Sequence, residues 1–582
     1  MILKYLGKKE WALVVACVVL IAVQVYLDLE IPGYMTNITT ILTTGGTSDE
    51  VLAEGIPMLA CALGSLASSV IVGAMAAYVA VTLAKNLRKK QFDSVQKFSF
   101  EEIGRFSIAS LITRSTNDVN QIQMVVAMGL QVMVKAPIMA VWAVYKILGS
   151  DLRWTWSVAI SVVVMLAVIL VIMRFVTPKF KKIQSMTDDV NRVTKEGIEG
   201  IRVVRAYNAE DFQEDRFKSA NKTLTDTHLS VTRALAFLSP AMTSVMNLMS
   251  LSIYWVGASV VNEAVGLMRI EEFSSMVVFS AYALQVVGAF MLLTMIFMIL
   301  PRAQVAARRI EEVIDTKPSI VDGGTKESPA GHEGEIEFRN VGFSYPDTKD
   351  YVFSGIDLKV SKGETVAFIG ATGSGKSTLI NLIPRFYDAT EGQVLVDGVD
   401  VREYDLDALR RKIGYVPQKA VLMSGTVESN VNYGNTSDER DMDDVKHAVR
   451  IAQGTDFIEK MENGYEGRVA ENGSNFSGGQ KQRLSIARAV CRKPEIYVFD
   501  DSFSALDYRT DLKLRTALRK EISDATLIIV AQRIGTIRDA DKIVVLDSGK
   551  AVGIGTHEEL MKTCEVYREI ASSQLTAEEA AL

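Results

Sequence analysis

The sequence predicts a bundle of six long membrane-spanning helices joined to an α/β domain, and three observations predict it. Long apolar runs dominate up to about Leu300, regularly spaced charges take over beyond Glu333, and a glycine-rich loop there stands between an apolar strand and an apolar-periodic helix. A chain of 582 residues also exceeds the usual single-domain length of about 100 to 200 residues.

Crossing a hydrocarbon core of about 30 Å takes roughly 20 apolar residues. The stretches that qualify are Trp11 to Ile31, Val51 to Leu83, Ile122 to Leu148, Trp154 to Val176, Leu235 to Val261 and Phe273 to Leu300. The first is too long for a signal-peptide core and has no small-residue cleavage site, so it reads as a retained span. Basic residues set the orientation. Lys4, Lys8 and Lys9 precede the first span, Lys85, Arg88, Lys89 and Lys90 follow the second, and Lys179, Lys181 and Lys182 follow the fourth, whereas Thr36 to Val51 has neither Lys nor Arg. By the positive-inside rule both termini face the cytoplasm. The inward connections, Lys85 to Asn120 and Thr177 to Thr232, are long, charged and helix-patterned. They read as extensions of the spans, with bends near Glu101 to Leu111 and Tyr207 to Phe217 as candidate contact points.

Two polar or polarisable features lie inside the spans. Lys135 falls well within the third, where an ionisable side chain is costly and marks a candidate substrate-cavity residue. Internal pairing, or snorkelling toward the inner face, is the alternative. Met242, Met246, Met249, Met291, Met295 and Met298 recur at near-helical spacing, which suits either an adaptable surface for apolar ligands or ordinary packing.

Composition narrows the remaining classes. The formal charge of −6 shows no concentrated basic face outside the membrane flanks and gives no reason to expect nucleic acid as a partner. Cys17, Cys61, Cys491 and Cys564 have no paired or metal-type spacing and read as small hydrophobes. The histidines are His228, His332, His447 and His557.

A turn-rich stretch, VDGGTKESPAGHEGE, marks the boundary, giving a membrane domain over 1–318, a linker over 319–335, a second domain over 336–575 and a tail over 576–582. There EIEFRNVGFSYP alternates like a strand, and ETVAFIGATGSGKSTLINLI places the pattern GxxxxGKS between strand and helix. This context identifies a phosphate loop. Gly370, Ala371, Thr372, Gly373, Ser374 and Gly375 turn backbone N–H groups toward phosphate oxygens, the helix start at Lys376, Ser377 and Thr378 adds its positive end, Lys376 reaches the β and γ phosphates, and the Ser377 hydroxyl ligates Mg²⁺. Asp500, closing the strand EIYVF, supplies a second magnesium contact. ATP and Mg²⁺ are therefore the expected ligands.

Between these motifs lies NFSGGQKQRLSIARAV, and here the chain resembles the ATP-binding cassette (ABC) transporters: Phe476, Ser477, Gly478, Gly479 and Gln480 match the family signature. The resemblance implies that Tyr345 stacks on adenine, that Gln418 in GYVPQ senses magnesium and the attacking water, and that Ser504, Ala505, Leu506 and Asp507 form the loop crossing to a partner domain. Six spans before one cassette imply an exporter-type half-transporter in the cytoplasmic membrane. In this family two cassettes close head to tail over two ATP molecules, each site combining one chain's phosphate loop with the other's signature.

The chain departs from the family at two positions. Asp501 stands where the family carries a glutamate that orients the attacking water, and Gln532, in IIVAQRIGTI, stands where it carries histidine. Asp501 is shorter than glutamate by one C–C bond, about 1.5 Å, and a displacement of about 1 Å in a reacting geometry costs around a hundredfold. Glutamine hydrogen-bonds a phosphate oxygen but cannot become cationic. The pattern resembles the degenerate subunit of bacterial heterodimeric multidrug exporters: Mg·ATP bound well and hydrolysed poorly, the intact signature lent to a homologous partner carrying Glu and His, and apolar or amphipathic compounds or lipids as substrates. A slow homodimer, an ATP-gated channel or regulatory subunit, and a narrow-specificity peptide or lipid translocator are the alternatives. The first span begins near Trp11, which leaves no room for the N-terminal peptidase domain that peptide exporters often carry.

Overall fold

The computed structural model describes residues 2–147, 152–264, 267–346, 348, 350–434 and 441–579. The chain divides into two compact units: Met1–Gln96 with Ile108–Thr316, and Lys97–Ser107 with Lys317–Leu582.

The first unit is helical. Its principal helices are Lys8–Thr43, Ser48–Val95, Val119–Ile147, Leu152–Glu199, Glu210–Glu263 and Leu267–Asp315, and each expected span lies within one of them, apart from Leu148 at the end of the third, which is outside the described residues. Among the described residues, six helices are long and apolar enough to cross a membrane. The 48 residues of Ser48–Val95 extend about 72 Å at 1.5 Å per residue, more than twice a bilayer core, so the charged connections do continue the spans as helix. The second expected bend, near Tyr207 to Phe217, is met at its start, where the chain leaves helix between Ala206 and Glu210, and a further break precedes it at Gly200, between the helix ending at Glu199 and the short turn Ile201–Ala206. Gly200 and the positive-φ Asn208 stand at the two breaks.

The buried interior of this unit includes Ile21, Val25, Leu29, Trp154, Met242, Met249, Ile253 and Phe279. Met242 and Met249 are thus packing residues, while the side chains of Met295 and Met298 lie outside the described residues. Small residues allow close helix approach where hydrophobic burial gives no drive. Gly257 is one: a Cβ there would collide with the Met276 side chain. Large apolar side chains such as Leu59, Val70, Val163, Leu170 and Leu251 are exposed, as a lipid-facing surface requires.

Lys135 is paired. Its Nζ lies 3.0 Å from an Asp28 carboxylate oxygen, and the Ser65 hydroxyl donates to the other. Lys146 pairs with Glu30 at 3.0 Å. Pro32 removes the N–H that would bond the Asp28 carbonyl within the helix, and Gln285 Nε2 donates to that carbonyl instead, at 3.3 Å.

The second unit contains a four-stranded antiparallel sheet in the order Phe353–Val360, Ile336–Phe343, Glu391–Val396, Val399–Asp400. Beside it is a six-stranded sheet in the order Lys550–Gly555, Lys542–Asp547, Thr365–Gly370, Thr526–Val530, Ile496–Asp500, Ile413–Val416, parallel except at the first edge. Val366, Phe368, Val498 and Ile528 pack with Phe338, Phe353 and Tyr404 in one core, and alternate residues of the same strands, such as Ala367, Tyr497 and Phe499, face the other. Both faces of the central strands are buried, which is why they read as continuous apolar runs.

The short helix Phe100–Phe106 belongs to this second unit, although it lies within the first inward connection. Phe100 packs edge-on against Phe386, with ring centroids 4.8 Å apart. Glu102 accepts from the Ser319 N–H at 3.0 Å and from the Ser99 N–H at 2.7 Å.

Candidate nucleotide-binding site

The central strands end on one side of the six-stranded sheet, where a doubly wound fold places its ligands. Thr365–Gly370 leads into the phosphate loop and Ile496–Asp500 into the two aspartates. Gly370 has φ 154° and a Cβ there would collide with the Leu546 carbonyl, so no other residue fits the turn. Gly375, at φ 93°, brings the chain into the helix Lys376–Ile380.

Lys376 is buried and its ammonium reaches back over the loop, donating to the carbonyls of Gly370 at 2.9 Å and Ala371 at 2.7 Å and to Ser374 Oγ at 3.2 Å. Burial lowers its pKa, and the carboxylates of Asp501 and Asp500 oppose that shift. The Ser377 hydroxyl donates to Asp500 Oδ1 at 2.7 Å. This pair is a hard oxygen donor set suited to Mg²⁺, so the residues fit Mg·ATP: Ser377 and Asp500, with Gln418 nearby, would hold the ion, and the loop with Lys376 the phosphates. When bound, the ion neutralises phosphate charge.

Tyr345 stands beside the loop, with its hydroxyl 3.0 Å from Thr378 Oγ1 and its ring set edge-on to Phe343 and Tyr387. It is 37% exposed, as a stacking platform must be.

Asp501 is buried, in the left-handed region at φ 45°. One of its carboxylate oxygens, Oδ2, accepts from both replacements' surroundings: Gln532 Nε2 at 2.9 Å and Gln418 Nε2 at 3.3 Å. Both amides thus bind the same oxygen, one of the two on the carboxylate. Burial raises the carboxyl pKa of Asp501, and likewise of Asp500, above the usual range. The sequence-predicted residues Gln418, Asp501 and Gln532 are therefore brought together, the two glutamines converging on the one aspartate.

The signature segment is built as a helix start. Ser477 Oγ accepts from the Gln480 N–H at 3.3 Å while Gln480 Oε1 accepts from the Ser477 N–H at 2.8 Å, a reciprocal cap on the helix Gly478–Cys491. Phe476 is buried against Phe457. A Cβ on Gly478 would meet nothing within 4 Å, whereas Gly479 abuts the Ala505 carbonyl and Leu506. Ser504 Oγ donates to the Asp501 carbonyl at 2.8 Å, and Asp507 caps the following helix through the Thr510 N–H at 3.0 Å. The loop carrying Ser504 to Asp507 thus runs directly from the aspartate pair past the signature.

Some positioning residues escaped the sequence. Gln482, on the signature helix, donates to the Pro417 carbonyl at 3.2 Å and so ties that helix to the backbone just before Gln418. Arg488 donates to the carbonyls of Asn430 at 2.8 Å and Val421 at 3.1 Å. Both stand inside a signature helix whose composition signals only amphipathicity.

Comparison with known proteins agrees with this geometry. The ABC transporter family matches residues 353–504, and the ABC transporter transmembrane region matches residues 14–290. An uncharacterized ABC transporter ATP-binding protein of Mycobacterium tuberculosis (strain ATCC 25618 / H37Rv) is 39% identical over 547 residues, 93% of each chain. The ATP-dependent lipid A-core flippase of Pseudomonas fluorescens (strain Pf0-1) is 33% identical over 505 residues, covering 86% of this chain and 82% of that one. Among solved structures, a bacterial Atm1-family ABC exporter with ATP bound superposes with a TM-score of 0.81 at 25% identity, covering 97% of this chain and 98% of that one. With its six long apolar helices fused to a single phosphate-loop cassette, the chain belongs to the ABC transporter family, as an exporter-type half-transporter.

Proposed function

We propose that this half-transporter is the hydrolysis-impaired subunit of a heterodimeric exporter in the cytoplasmic membrane, with both termini on the cytoplasmic side. The observation that carries the proposal is the Asp501 carboxylate oxygen held by Gln418 and Gln532 together. A water-orienting base needs a free lone pair in reach of the water, and this aspartate is short and has one of its two oxygens drawn onto the amides of Gln418 and Gln532. Binding features are kept: the loop glycines, Lys376, Ser377, Asp500 and Tyr345. The site therefore holds Mg·ATP and turns it over slowly, while Ser477 to Gln480 serve the site built on the partner's phosphate loop.

Dimerisation finds support at the turn between the fourth and fifth spans. Ile198, Val203, Tyr207 and Phe212 are exposed there by 61 to 80%, an apolar tip that a second subunit would cover. The partner we infer carries the glutamate and the histidine. Substrates are apolar or amphipathic compounds, drug-like or lipid; the similarity to the lipid A-core flippase of Pseudomonas fluorescens supports the lipid class. We assign Lys135 to the substrate path as half of a neutral pair, since Lys135 and Asp28 remain 24% and 23% exposed.

Co-purification tests the proposal. The chain purified by itself should bind ATP with little turnover and no transport, and co-expression with a homologous half-transporter should restore both. Brisk ATPase and transport by the chain alone would overturn it.

A further inference from the structure

The loop carrying Gln532 is gripped from two sides. On one, the Gln532 side chain donates to Asp501 at 2.9 Å. On the other, a single carboxamide from the C-terminal helix Glu565–Glu579 brackets the loop backbone: Gln574 Nε2 donates to the Gln532 carbonyl at 2.7 Å, and Gln574 Oε1 accepts from the Ile534 N–H at 2.7 Å.

The second bond fills a gap in local structure. Ile534 begins the short helix Ile534–Ile537, and the residue before it, Arg533, makes no side-chain cap bond. The first N–H groups of a helix need external acceptors, and here a distant helix supplies one. A carboxamide offers a donor and an acceptor on one planar group at any ordinary pH, and the two bonds, 2.7 Å each, use both ends of it.

Gln574 is delivered by packing. Tyr567 and Ala571, two turns and one turn earlier on the same helical stripe, are fully buried, and the Tyr567 hydroxyl lies 2.7 Å from His557 Nδ1. The stripe 567, 571, 574 thus seats the C-terminal helix on the cassette and aims Gln574 at the loop.

We propose that Gln574 is a positioning residue for the nucleotide site: it fixes the backbone of the Gln532 loop, so the seating of the C-terminal helix sets how Gln532 meets Asp501 and the terminal phosphate. The proposal rests on the functional reading above only in placing Gln532 beside that phosphate. It makes the C-terminal helix a handle on the site, because lifting Gln574 frees a loop otherwise held at both backbone and side chain.

The test uses the full-length transporter with its co-purified partner and three variants of this chain. Gln574→Met keeps length and removes both bonds. Gln574→Glu keeps the acceptor for Ile534 and places a negative oxygen against the Gln532 carbonyl. Gln574→Asn keeps both groups on a stem shorter by about 1.5 Å. Hydrogen exchange of the peptide containing Ile534 should speed up by roughly three- to tenfold in Gln574→Met, the loss expected for one net hydrogen bond, and by less in Gln574→Glu. Release of radiolabelled ATP from this chain's site should speed up in the same order, with the melting temperature changed by no more than a few degrees.

Exchange that speeds up while ATP release stays at the parent rate would reduce Gln574 to a structural cap and overturn the proposal, as would unchanged exchange. An Asp501→Glu/Gln532→His background separates the two readings. There, paired with a partner whose own cassette has lost hydrolysis, Gln574→Met should lower kcat while the KM for ATP stays within about twofold, the pattern of a transition-state interaction. If that background gains no turnover, the impaired-site reading fails, and the exchange and release measurements on the natural chain still decide the role of Gln574.

Discussion

Replacing Asp501 by glutamate and Gln532 by histidine should awaken the site on this chain. Glutamate extends the carboxylate by about 1.5 Å, which shifts it from the position where two amide nitrogens, at 2.9 and 3.3 Å, now hold Asp501 Oδ2. Histidine removes one of those donors and adds a side chain able to carry positive charge next to the phosphate. Recovering a correctly placed base is worth about 10² to 10⁴ in rate, or about 3 to 5 kcal/mol of barrier. The partner's site would mask the gain, because doubling the active sites only doubles total turnover. The assay therefore uses a pair whose partner cassette has lost its own hydrolysis, with phosphate release measured at saturating Mg·ATP. We expect the double variant to exceed its parent by at least about a hundredfold, and Asp501→Glu alone to gain less because Gln532 stays neutral. Turnover within twofold of the parent, with ATP still bound, would refute the explanation from reach and engagement of the carboxylate.

Three further outcomes follow from the geometry. Lys135→Met leaves the Asp28 carboxylate without its cation in a span and should cost about 1 to 3 kcal/mol, whereas Lys135→Met with Asp28→Leu should recover most of it, read as thermal melting in detergent. Gly370→Ala forces a Cβ into the Leu546 carbonyl at a φ that L-residues avoid, so this chain's ATP binding, followed by nucleotide photolabelling, should be lost. Burial beside Arg538 holds the His557 pKa below its ordinary 6.5. The folded cassette then binds fewer protons than the unfolded chain between those two values, so stability is full above pH 6.5 and declines as pH falls through the folded pKa. His557→Gln should flatten that slope in denaturant titrations.

Features coded by neighbouring residues were legible in the sequence. Span length is a run of apolar residues, and the phosphate loop and signature each require particular types within a few positions of one another. The two aspartates announced themselves at a strand end, and the departure of Asp501 from glutamate was visible as a single methylene. What could not be read was pairing across the chain. Lys135 stood out as a costly charge, yet its partner Asp28 lies 107 residues away and is chosen by helix packing. Of the two breaks between the fourth and fifth helices, the one at Asn208 falls in the expected bend and the one at Gly200 does not, because it arises from local backbone conformation rather than polarity. Gln574 is 42 residues from Gln532, on a helix whose sequence shows only a mixed face. The allegiance of Phe100–Phe106 to the cassette unit was likewise hidden, since it depends on aromatic partners at Phe386 and Tyr387.

The division of labour between two nucleotide sites can be read from the fate of the terminal phosphate. The co-purified pair is loaded during turnover with photoactivatable ATP labelled on the γ-phosphate, crosslinked, and its subunits separated. This chain should retain the γ-label through many turnovers while the partner loses it. Loss of the γ-label from this chain as fast as from its partner would contradict the assignment of Asp501 and Gln532 to a holding site.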